Sequence, residues 1–403
     1  MVTNRTIAPY YTLLILILLM GAPSAAFAHI PCVAAADGTP VADSLHSDSL
    51  HSDSAVVDSA ALTGAAEPKK KRNFFVRLLR AFDDTDPDYI VPNYYNYTVM
   101  AQNTNFFQLY RIKASDAQGN SQTLEMAPEP SFKVGPYFGW RWLFLGYTFD
   151  VANHGGVAKS QEMSLSLYSS MIGVDLVYVK NDGQFTIRRA RGFGDDVASA
   201  VEGSKFSGID SYTSSVNVYY VFNHRRFSYP AAYAQSTVQR RSQGSWVLGL
   251  CYSHNRMEMD YRRLPSALIT PIDNEGHTPL IDEMKVERTD YKSYTISGGY
   301  AYNWVFAPKW LFSISATPAF GMRHSKGERM NTDDLWVSMK RFNFDFIGRV
   351  GLVWNNSKYF AGLSAVTHIY DYKKEGYSMN NMVNYVNVYV GFLFNRKSQY
   401  RRQ

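Results

Sequence analysis

The stretch "RFNFDFIGRVGLVW", residues 341–354, alternates between large apolar side chains and polar or small ones. The even-numbered positions carry the large apolar side chains of Phe342, Phe344, Phe346, Val350, Leu352 and Trp354. The odd-numbered positions carry the polar side chains of Arg341, Asn343, Asp345 and Arg349. Successive side chains of a β-strand point to opposite faces of its sheet. This stretch therefore predicts a strand with one apolar face and one polar face.

The same period of two recurs in "YTISGGYAYNW" at 294–304, "WLFSISATPAFGMR" at 310–323 and "YVNVYVGFLF" at 385–394. These stretches are ten to fourteen residues long, whereas strands of soluble proteins average about five or six residues. A tilted strand needs about 9–11 residues to cross a bilayer. Both a soluble sandwich and a membrane barrel would show the alternation, but strand length and aromatic strand ends favour the barrel, with its apolar face toward lipid.

The alternation predicts about twelve strands, within a range of ten to fourteen. They lie near 103–113, 131–139, 141–150, 161–180, 184–191, 211–222, 245–256, 290–304, 310–324, 340–354, 358–372 and 383–395. The short connections "NDG", "VFAPK" and "NNSK" alternate with long ones at 114–130, 192–210, 257–289, 324–339 and 373–382. The predicted fold class is all-β, a transmembrane antiparallel β-barrel over 93–403 preceded by a short amphipathic helix.

One predicted strand changes phase. In "EMSLSLYSSMIGVDLVY" at 162–178 the apolar positions shift near Ser169 and Ser170. Such a shift indicates either a β-bulge or a tight hairpin. A hairpin would disturb the alternation of short and long connections, so a bulge is predicted.

The N-terminal residues predict export. The apolar run "YYTLLILILLMG" precedes "APSAAFA", which predicts a signal peptide over 1–28 with cleavage after Ala28. A single membrane anchor is the alternative, but the run is short for a membrane span. Lipid attachment at Cys32 is a further alternative, although His29-Ile30-Pro31 are not the small residues that such a site needs.

Two segments precede the predicted barrel. Residues 29–72 contain the repeat "DSLHSDSLHSDS" and few apolar groups, which predicts a disordered periplasmic linker. Residues 73–92 begin with "NFFVRLLRAF", whose apolar positions have helical spacing. This stretch predicts a short amphipathic helix and a lead-in to the barrel.

Composition limits the remaining classes of function. Aromatic residues make up 15% of the chain and charged residues 19%, a balance typical of membrane barrels. The net charge of +6 is concentrated in "KKKR" at 69–72, in the connections and in the tail. No continuous basic face with a nucleic-acid-binding fold is visible in the sequence, so no nucleic-acid partner is expected. With two cysteines, one of them in a predicted strand, the sequence does not indicate a disulfide framework.

Several charged and amide side chains share the predicted lumen face: Lys133, Asp150, Asp175, Arg323, Arg341, Asn343, Asp345 and Arg349. They could line a pore that passes a solute. Alternatively, they could form an interior network of salt bridges that fills a barrel of modest width. The sequence leaves both interpretations open.

An outer-membrane lipid hydrolase is the enzymatic alternative. "CYSHNR" at 251–256 puts His254 on the lipid-facing side near the outer end of its strand. Ser253 cannot be its partner, because neighbours on a strand point to opposite faces. No GxSxG, HExxH or phosphate-binding glycine motif occurs. No catalytic residue, metal site or cofactor is therefore predicted.

One connection is unexpectedly long. "RRFSYPAAYAQSTVQRRSQGS", residues 225–245, joins two strands on the side of the short turns. It carries the aromatic and proline residues of an ordered segment and an arginine pair at each end: Arg225, Arg226, Phe227, Tyr229, Pro230, Tyr233, Arg240 and Arg241. We expect it to fold against the barrel floor and residues 73–90, partly closing the periplasmic mouth.

The motifs "FNHRRFSYPAAYAQSTVQRRSQGS" and "DDTDPDYI" at 83–90 resemble those of the domain of unknown function family numbered 4421, from Bacteroides-type bacteria. The resemblance covers roughly residues 80–403 and implies an outer-membrane barrel without an assigned activity. The expected function is a passive channel or a structural or interaction protein, with both chain termini in the periplasm. The expected partners are outer-membrane lipid, the barrel assembly machinery and a periplasmic protein.

Overall fold

The computed structural model describes residues 85–140, 143–146, 149–150, 160–269, 280–325, 342–374 and 376–400. The predicted signal peptide with Ala28, the linker 29–72, the helix predicted from residue 73 and Arg341 lie outside the described residues. Strand is the dominant secondary structure. The strands are β1 (Ile90–Pro92), β2 (Tyr95–Ser115), β3 (Ser121–Pro128), β4 (Ser131–Trp140), β5 (Leu143–Gly146), β6 (Phe149–Asp150), β7 (Ser160–Tyr168), β8 (Ile172–Asn181), β9 (Phe185–Arg191), β10 (Lys205–Phe206), β11 (Ile209–Val221), β12 (Thr237–Gln239), β13 (Gln243–Met259), β14 (Arg288–Ala307), β15 (Trp310–Ser325), β16 (Phe342–Asn355), β17 (Tyr359–Lys374) and β18 (Tyr377–Arg396).

The helical elements are short. They are α1 (Asp195–Val201), α2 (Tyr229–Tyr233) and α3 (Ser266–Ile269), with 3₁₀ turns at Tyr261–Arg263, Asp282–Met284 and Ser398–Tyr400. Among the described helices, none has the length and apolar character needed to cross a membrane.

The wall is one antiparallel sheet. Its strands follow the order β4, β2, β18, β17, β16, β15, β14, β13, β11, β8 and β7. β2 pairs with β18 from Tyr95 to Ala114, so the first and last long strands of the chain are neighbours. Within the described residues the ladder is not closed between β6 and β7. Side chains nevertheless connect the two sides, because Lys133 of β4 contacts Glu162 of β7 with Nζ and Oε1 3.1 Å apart.

The sheet forks beside β2. β3 pairs with one half of β2 and β4 with the other half. The break between them falls at "PEP", 128–130, where two prolines cannot donate ladder hydrogen bonds. β3 continues the sheet through β9 and β10, whereas β4 continues it through β5 and β6. Three pairs of strands each occupy one position in the wall: β3 with β4, β5 with β6, and β8 with β9. Counted in this way, the wall has twelve positions. The predicted barrel-type fold class is confirmed.

The predicted β-bulge at 169–170 is wrong. β7 and β8 form a hairpin in which Ser160 pairs with Asn181 and Tyr168 with Gly173. Ser169 closes the turn, since its N–H donates to the Ile172 carbonyl over 3.1 Å and its Oγ accepts from the Ile172 N–H over 3.0 Å. The phase shift in the sequence therefore marks a reversal of the chain.

Two predicted connections are also wrong. β8 is antiparallel to β11, and β9 is antiparallel to β3. Followed around the sheet, these pairings make β8 and β9 run in the same direction, so "NDG" at 181–183 does not reverse the chain. The long loop predicted at 373–382 is absent, since β17 extends to Lys374, β18 begins at Tyr377, and these two residues are paired in the ladder. The extra hairpin and the missing reversal offset each other, so the number of wall positions stays near the prediction.

The two faces of the wall differ sharply in chemistry. Trp246 and Leu250 on the outer face of β13 are 66% and 65% exposed. Asn303 and Arg349 on the inner face are 0% and 1% exposed. A soluble protein buries its apolar side chains and exposes its charges, whereas a membrane barrel does the opposite. The outer face is therefore suited to lipid.

The two ends of the barrel differ as well. We define the floor as residues 85–94, 169–171, 222–242, 308–309, 356–358 and 396–400, and the cap as the connections at the opposite end, including α1 and α3. The cap contains a large apolar cluster with strand ends from several wall positions. Its fully buried members include Leu124, Met126, Phe185, Phe193, Val201, Phe206, Met257, Leu268, Met284 and Tyr291.

Candidate functional site: the filled interior and the floor

An ion pair occupies the centre of the barrel. The guanidinium of Arg349, on β16, contacts the carboxylate of Asp175, on β8, and both side chains are almost completely buried. Asn217 Nδ2 donates to Asp175 Oδ2 over 3.0 Å, and Ser166 Oγ donates to Asp175 Oδ1 over 2.8 Å. Burying two charges is costly unless they are paired and their remaining polar atoms are bonded. These neighbours provide that compensation for the carboxylate.

Aromatic rings enclose the same ion pair. The Arg349 guanidinium lies 5.0 Å from the ring centre of Tyr219 and 5.8 Å from that of Tyr229. A cation near an aromatic ring is attracted to the ring's negative face. Because Tyr229 belongs to the floor, this contact connects the central ion pair to the floor.

A second polar layer lies closer to the cap. Asn343 Nδ2 donates to Asp345 Oδ1 over 2.7 Å and to Ser293 Oγ over 3.0 Å. The Asp371 N–H also donates to Asp345 Oδ1, over 3.2 Å. Asn343 and Asp345 are each 3% exposed. The pair is therefore tied into the interior and not open to a channel.

Arg323 lies nearer still to the cap. Its guanidinium is 4.3 Å from the ring centre of Tyr372, and its Nη1 donates to the Lys373 carbonyl. Arg323 is 4% exposed. Arg323, on β15, therefore packs against β17 on the inner side of the wall.

Amide side chains bridge the interior between non-adjacent strands. Asn181 Nδ2 donates to Gln108 Oε1 over 2.6 Å, and Gln108 Nε2 donates to Asn381 Oδ1 over 2.8 Å. Asn381 Nδ2 then donates to Thr213 Oγ1 over 2.8 Å and to Asn255 Oδ1 over 3.2 Å. This chain of hydrogen bonds connects β8, β2, β18, β11 and β13 across the space a channel would need.

The remaining predicted lumen residues lie on the fork of the sheet. Lys133 faces the interior and pairs with Glu162. Asp150 is the backbone partner of Lys133 in the ladder between β6 and β4. Arg341 lies outside the described residues. The structure thus brings Asp175 and Arg349 together, and Asn343 and Asp345 together, while Lys133 and Arg323 have other partners.

The long connection folds into the floor end of the barrel. We call residues 222–242 the floor segment. Its helix α2 begins at the N-cap Ser228, whose Oγ accepts from the Ala231 N–H over 3.1 Å. Pro230 suits the first turn because that position needs no N–H donor. A proline and a serine cap therefore explain how a helix of five residues is fixed here.

The buried residues of this segment pack against the inner wall. Phe227 and Tyr229 join a cluster with Tyr219, Val247 and Ala301. A second cluster contains Ala231, Ala232, Leu311 and Val353. Phe227, Tyr229 and Pro230 are buried and Tyr233 is half-buried, whereas Arg225, Arg226, Arg240 and Arg241 are exposed. The aromatic residues therefore fill the mouth, and the arginines face outward from it.

Amides fasten the segment to the wall. Asn303 Nδ2 donates to the Ser228 carbonyl over 2.8 Å and to Gln239 Oε1 over 3.1 Å. Asn355 Nδ2 donates to Gln235 Oε1 over 3.0 Å. Gln235 Nε2 donates to Tyr389 Oη over 3.0 Å. These hydrogen bonds attach the floor segment to β14, β16 and β18.

The N-terminal strand β1 holds the segment from the other side. β1 pairs with β12 of the segment, with Ile90 opposite Gln239 and Pro92 opposite Thr237. Arg226 Nε donates to Asp86 Oδ2 over 3.1 Å. The Arg226 guanidinium also lies 5.0 Å from the ring centre of Tyr89. The described part of the lead-in, 85–92, therefore forms a two-stranded clasp with the floor segment.

The environment of this segment also affects its tyrosines. Burial raises the pKa of Tyr229 and raises the pKa of Tyr233 well above the usual tyrosine value. Both hydroxyls therefore stay protonated at physiological pH. Tyr233 Oη donates to Ser313 Oγ over 3.3 Å.

The candidate hydrolase residue His254 lies on the outer face near the cap. Its Nε2 is 2.9 Å from Asp290 Oδ1, and Arg288 Nη2 donates to Asp290 Oδ2 over 2.8 Å. Ser253 is 1% exposed and faces the interior, as alternation requires. Ser214 is the residue opposite His254 in the ladder between β11 and β13. A histidine–carboxylate pair is therefore present at the rim.

Metal chemistry has no visible site in the described part of the chain. Within it, no group of three or more His, Cys, Asp or Glu side chains is arranged to hold a metal ion.

Sequence reasoning missed several of these partners. Tyr219, Asn217 and Ser166 surround the central ion pair, and Gln235 and Gln239 fasten the floor segment. The inward positions of Tyr219, Asn217 and Ser166 were readable from the period of two, whereas Gln235 and Gln239 lie in the floor segment, outside that pattern. None of the pairings was readable, because they depend on which distant parts of the chain face each other across the interior.

Comparison with known families gives one match over most of the chain. The family model described as Domain of unknown function (DUF4421) matches residues 83–394. Comparison with curated protein sequences gave no match.

Comparison with solved structures returns outer-membrane proteins. The outer membrane protease OmpT from Escherichia coli is 8% identical with a TM-score of 0.33, covering 76% of this chain and 97% of that one. OmpT, an outer membrane protein of Vibrio cholerae, is 8% identical with a TM-score of 0.21, covering 72% and 97%. The outer membrane channel DcaP of Acinetobacter baumannii is 8% identical with a TM-score of 0.19, covering 77% and 99%. With TM-scores this low, the likeness transfers neither an activity nor a ligand to this chain.

Proposed function

We propose that this chain, which belongs to the DUF4421 family, is an outer-membrane β-barrel with an occluded interior that serves as a structural or interaction protein. The observation that carries the proposal is the filling of the interior at successive levels. The floor segment, the ion pair of Arg349 with Asp175, the amide network and the apolar cap follow one another through the barrel.

The alternative of an open passive channel fits these contacts less well. Barrels with open aqueous channels have more strands, whereas side chains can fill a narrower lumen. Here the amide chain from Asn181 to Asn255 connects opposite parts of the wall through hydrogen bonds between side chains. Passage of a solute would require these buried groups to separate.

The orientation follows from the same proposal. With the signal peptide of residues 1–28 removed, the linker and both termini lie on the periplasmic side, together with the floor. The cap then faces the cell exterior. The apolar outer face contacts lipid, and the aromatic final strand β18 is recognised by the barrel assembly machinery.

Conductance of the purified protein in a planar bilayer tests the proposal. We expect insertion without steady open-channel current. A stable ohmic current in each inserted molecule would contradict the occluded interior. Cell fractionation and heat-modifiable gel migration test the compartment and the barrel separately, and recovery as a soluble periplasmic protein would contradict the membrane assignment.

The lipid hydrolase remains the second candidate, favoured by the contact of His254 with Asp290 at the outer rim. An assay for fatty acid released from mixed phospholipid micelles distinguishes the hydrolase from the structural or interaction protein. A hydrolase would show turnover that is lost in His254→Ala and Ser214→Ala, whereas an interaction protein shows no turnover in any of the three proteins.

A further inference from the structure

The floor carries a concentrated positive charge. Its exposed basic residues are Arg225, Arg226, Arg240, Arg241, Lys309, Lys358 and Arg396, and half-buried Lys397 lies beside them. Among the described floor residues, the acidic ones are Asp86 and Asp88. In the described connections of the cap, acidic residues outnumber basic ones. The excess of basic charge is therefore a property of one end of the molecule.

A cleft lies within this basic surface. It has a volume of about 240 Å³ and is lined by Asp86, Asn223, Arg225 and Arg226. Arginine guanidinium groups bind carboxylates through several directed donors, and they do so better than a point charge would. The cleft is therefore suited to a carboxylate-bearing chain.

The floor already binds one aspartate from the N-terminal part of the chain. Arg226 forms an ion pair with Asp86 at 3.1 Å, and the Asp86 N–H donates to the Arg225 carbonyl over 2.7 Å. The chain preceding Asp86 is therefore joined to the barrel directly beside the cleft.

The upstream sequence contains more groups of the same kind. Aspartates recur at Asp37, Asp43, Asp48, Asp53 and Asp58. No lysine or arginine occurs between Val33 and Pro68. From this complementarity we propose that the aspartate-rich segment 37–58 docks on the basic floor, with the cleft at Arg225 and Arg226 as its principal contact.

The connection is long enough for this contact. Residues 59–84 join the segment to the clasp, and a chain of that length spans about 39 Å even when every residue is helical. Joining two groups through a short linker raises their effective concentration, up to the millimolar range. Single exposed ion pairs contribute little, and salt screens them. The docking therefore depends on several aspartates together and weakens as the salt concentration rises.

This inference goes beyond the proposed function, because it concerns the floor surface and is independent of whether the barrel conducts ions. The run "KKKR" at 69–72 is the internal competitor for the same aspartates. The test must therefore separate the floor arginines from the basic residues of the tether.

The test uses the full-length chain in detergent micelles and a fluorescein-labelled peptide of residues 37–58. In one variant, all five aspartates of the segment are changed to Asn, so that the chain's own segment no longer competes. We expect the peptide to bind this variant at least tenfold more tightly than it binds the unaltered chain. Binding should weaken at least tenfold between 50 and 300 mM NaCl, since several ion pairs are screened together.

Three further variants in the five-Asn background locate the contact. Changing Arg225, Arg226, Arg240 and Arg241 to Gln should abolish peptide binding. Changing Lys205, Arg262, Arg263 and Lys285 of the cap to Gln removes the same charge at the other end and should leave binding intact. Changing 69–72 to Gln should also leave it intact. Heat-modifiable migration confirms that each variant is folded.

Four results would overturn the inference. One is equal binding of the peptide to the five-Asn variant and the unaltered chain. Another is loss of binding in the cap variant as well as in the floor variant. A third is loss of binding when only 69–72 is changed. The fourth is binding of phosphatidylglycerol vesicles through the four floor arginines while the peptide does not bind, which would assign the floor to lipid headgroups instead.

Discussion

Arg349 and Asp175 form a buried ion pair in the centre of the barrel although 174 positions separate them in the sequence. Each is the main compensation for the other's charge. Because the pair joins β16 to β8, it connects strands that are not neighbours in the sheet.

Removing one member of this pair should be strongly destabilising. Asp175→Asn leaves the Arg349 charge without its partner, and breaking a buried ion pair on one side costs about 3–5 kcal/mol. Urea denaturation followed by gel migration of the folded and unfolded forms measures the change. The double variant Asp175→Leu with Arg349→Leu should lose less stability than Asp175→Asn, because no unpaired charge remains. A double variant less stable than the single one would contradict this account.

Asn303 should hold the floor segment in place. Asn303→Ala removes two hydrogen bonds to the segment, and each contributes about 0.5–1.5 kcal/mol, since Gln239 Oε1 still accepts from the Ser228 N–H. We expect faster trypsin cleavage after Arg225, Arg226, Arg240 and Arg241. Asn343→Ala, which removes an interior amide far from the floor, is the matched control and should leave the cleavage rate unchanged.

The clasp between β1 and β12 should depend on packing more than on charge. Ile90 is 1% exposed, and truncating a buried isoleucine to alanine costs about 2–5 kcal/mol. The ion pair between Asp86 and Arg226 is partly exposed, and such pairs contribute about 0.2–1 kcal/mol. Hydrogen exchange of the β12 amides should therefore rise much more in Ile90→Ala than in Asp86→Ala. The reverse order would show that charge dominates the clasp.

Replacing residues 226–242 with a short Gly/Ser linker should leave the wall inserted, because the ladders of β11 and β13 lie outside the exchanged part. The lead-in would lose its strand partner β12. We expect proteolysis of the residues before β2 to increase. Conductance tests the mouth in the same variant: it rises if the floor segment is the main barrier and stays low if the interior network is. An unchanged protease pattern together with unchanged conductance would exclude both roles of the segment.

The final strand should carry the determinant of assembly. Phe392 is 41% exposed on the outer face, and Phe394 packs 5.4 Å from the ring centre of Tyr97. Changing both to Asp should abolish insertion, since charge facing lipid costs up to about 2–4 kcal/mol and the aromatic signal is lost as well.

Fewer C-terminal residues should be dispensable than the sequence implies. From the sequence, loss of residues 396–403 is expected to leave insertion intact. The structure adds that Arg396 pairs with Tyr95 and that the Lys397 N–H donates to the Tyr94 carbonyl over 2.9 Å. Deletion from residue 398 should therefore preserve insertion, whereas deletion from 396 should lower stability. Insertion is measured by urea extraction of membranes.

The wall was predictable from the sequence where the period of two is unbroken. Phe342 and Asn343 fall on the outer and inner faces as their alternation indicates, since a strand offers only two directions to its side chains. The hairpin at Ser169 was rejected in favour of a bulge because it would disturb the alternation of short and long connections. That argument failed because "NDG", counted as a reversal, does not reverse the chain. The continuation of β8 into β9 escaped because "NDG" is a strong local turn signal. There the pairing of β9 with β3 prevails over local propensity.

The interior was predictable only as a set of residues. The sequence places Asp175 and Arg349 on one face, but their contact depends on the relative height of strands on different sides of the barrel. Asp290 beside His254 was missed for a similar reason, since it lies diagonally across a ladder whose register the sequence does not specify. Side-chain direction is encoded locally, whereas partnership across the barrel is set by the whole sheet.

The short ladder between β1 and β12 also has a mechanical meaning. β1 is the element through which the N-terminal part of the chain joins the barrel, and its partner β12 belongs to the segment that fills the mouth. Tension on the N-terminus would therefore load this ladder before it reaches the wall. A force too weak to rupture the ladder is transmitted to Gln239 and to the residues that Gln239 anchors. A stronger force separates β1 from β12, and the N-terminal part of the chain then comes away while α2 stays in place. The strength of three residue pairs thus sets whether a pulled tether withdraws the floor or only detaches from it.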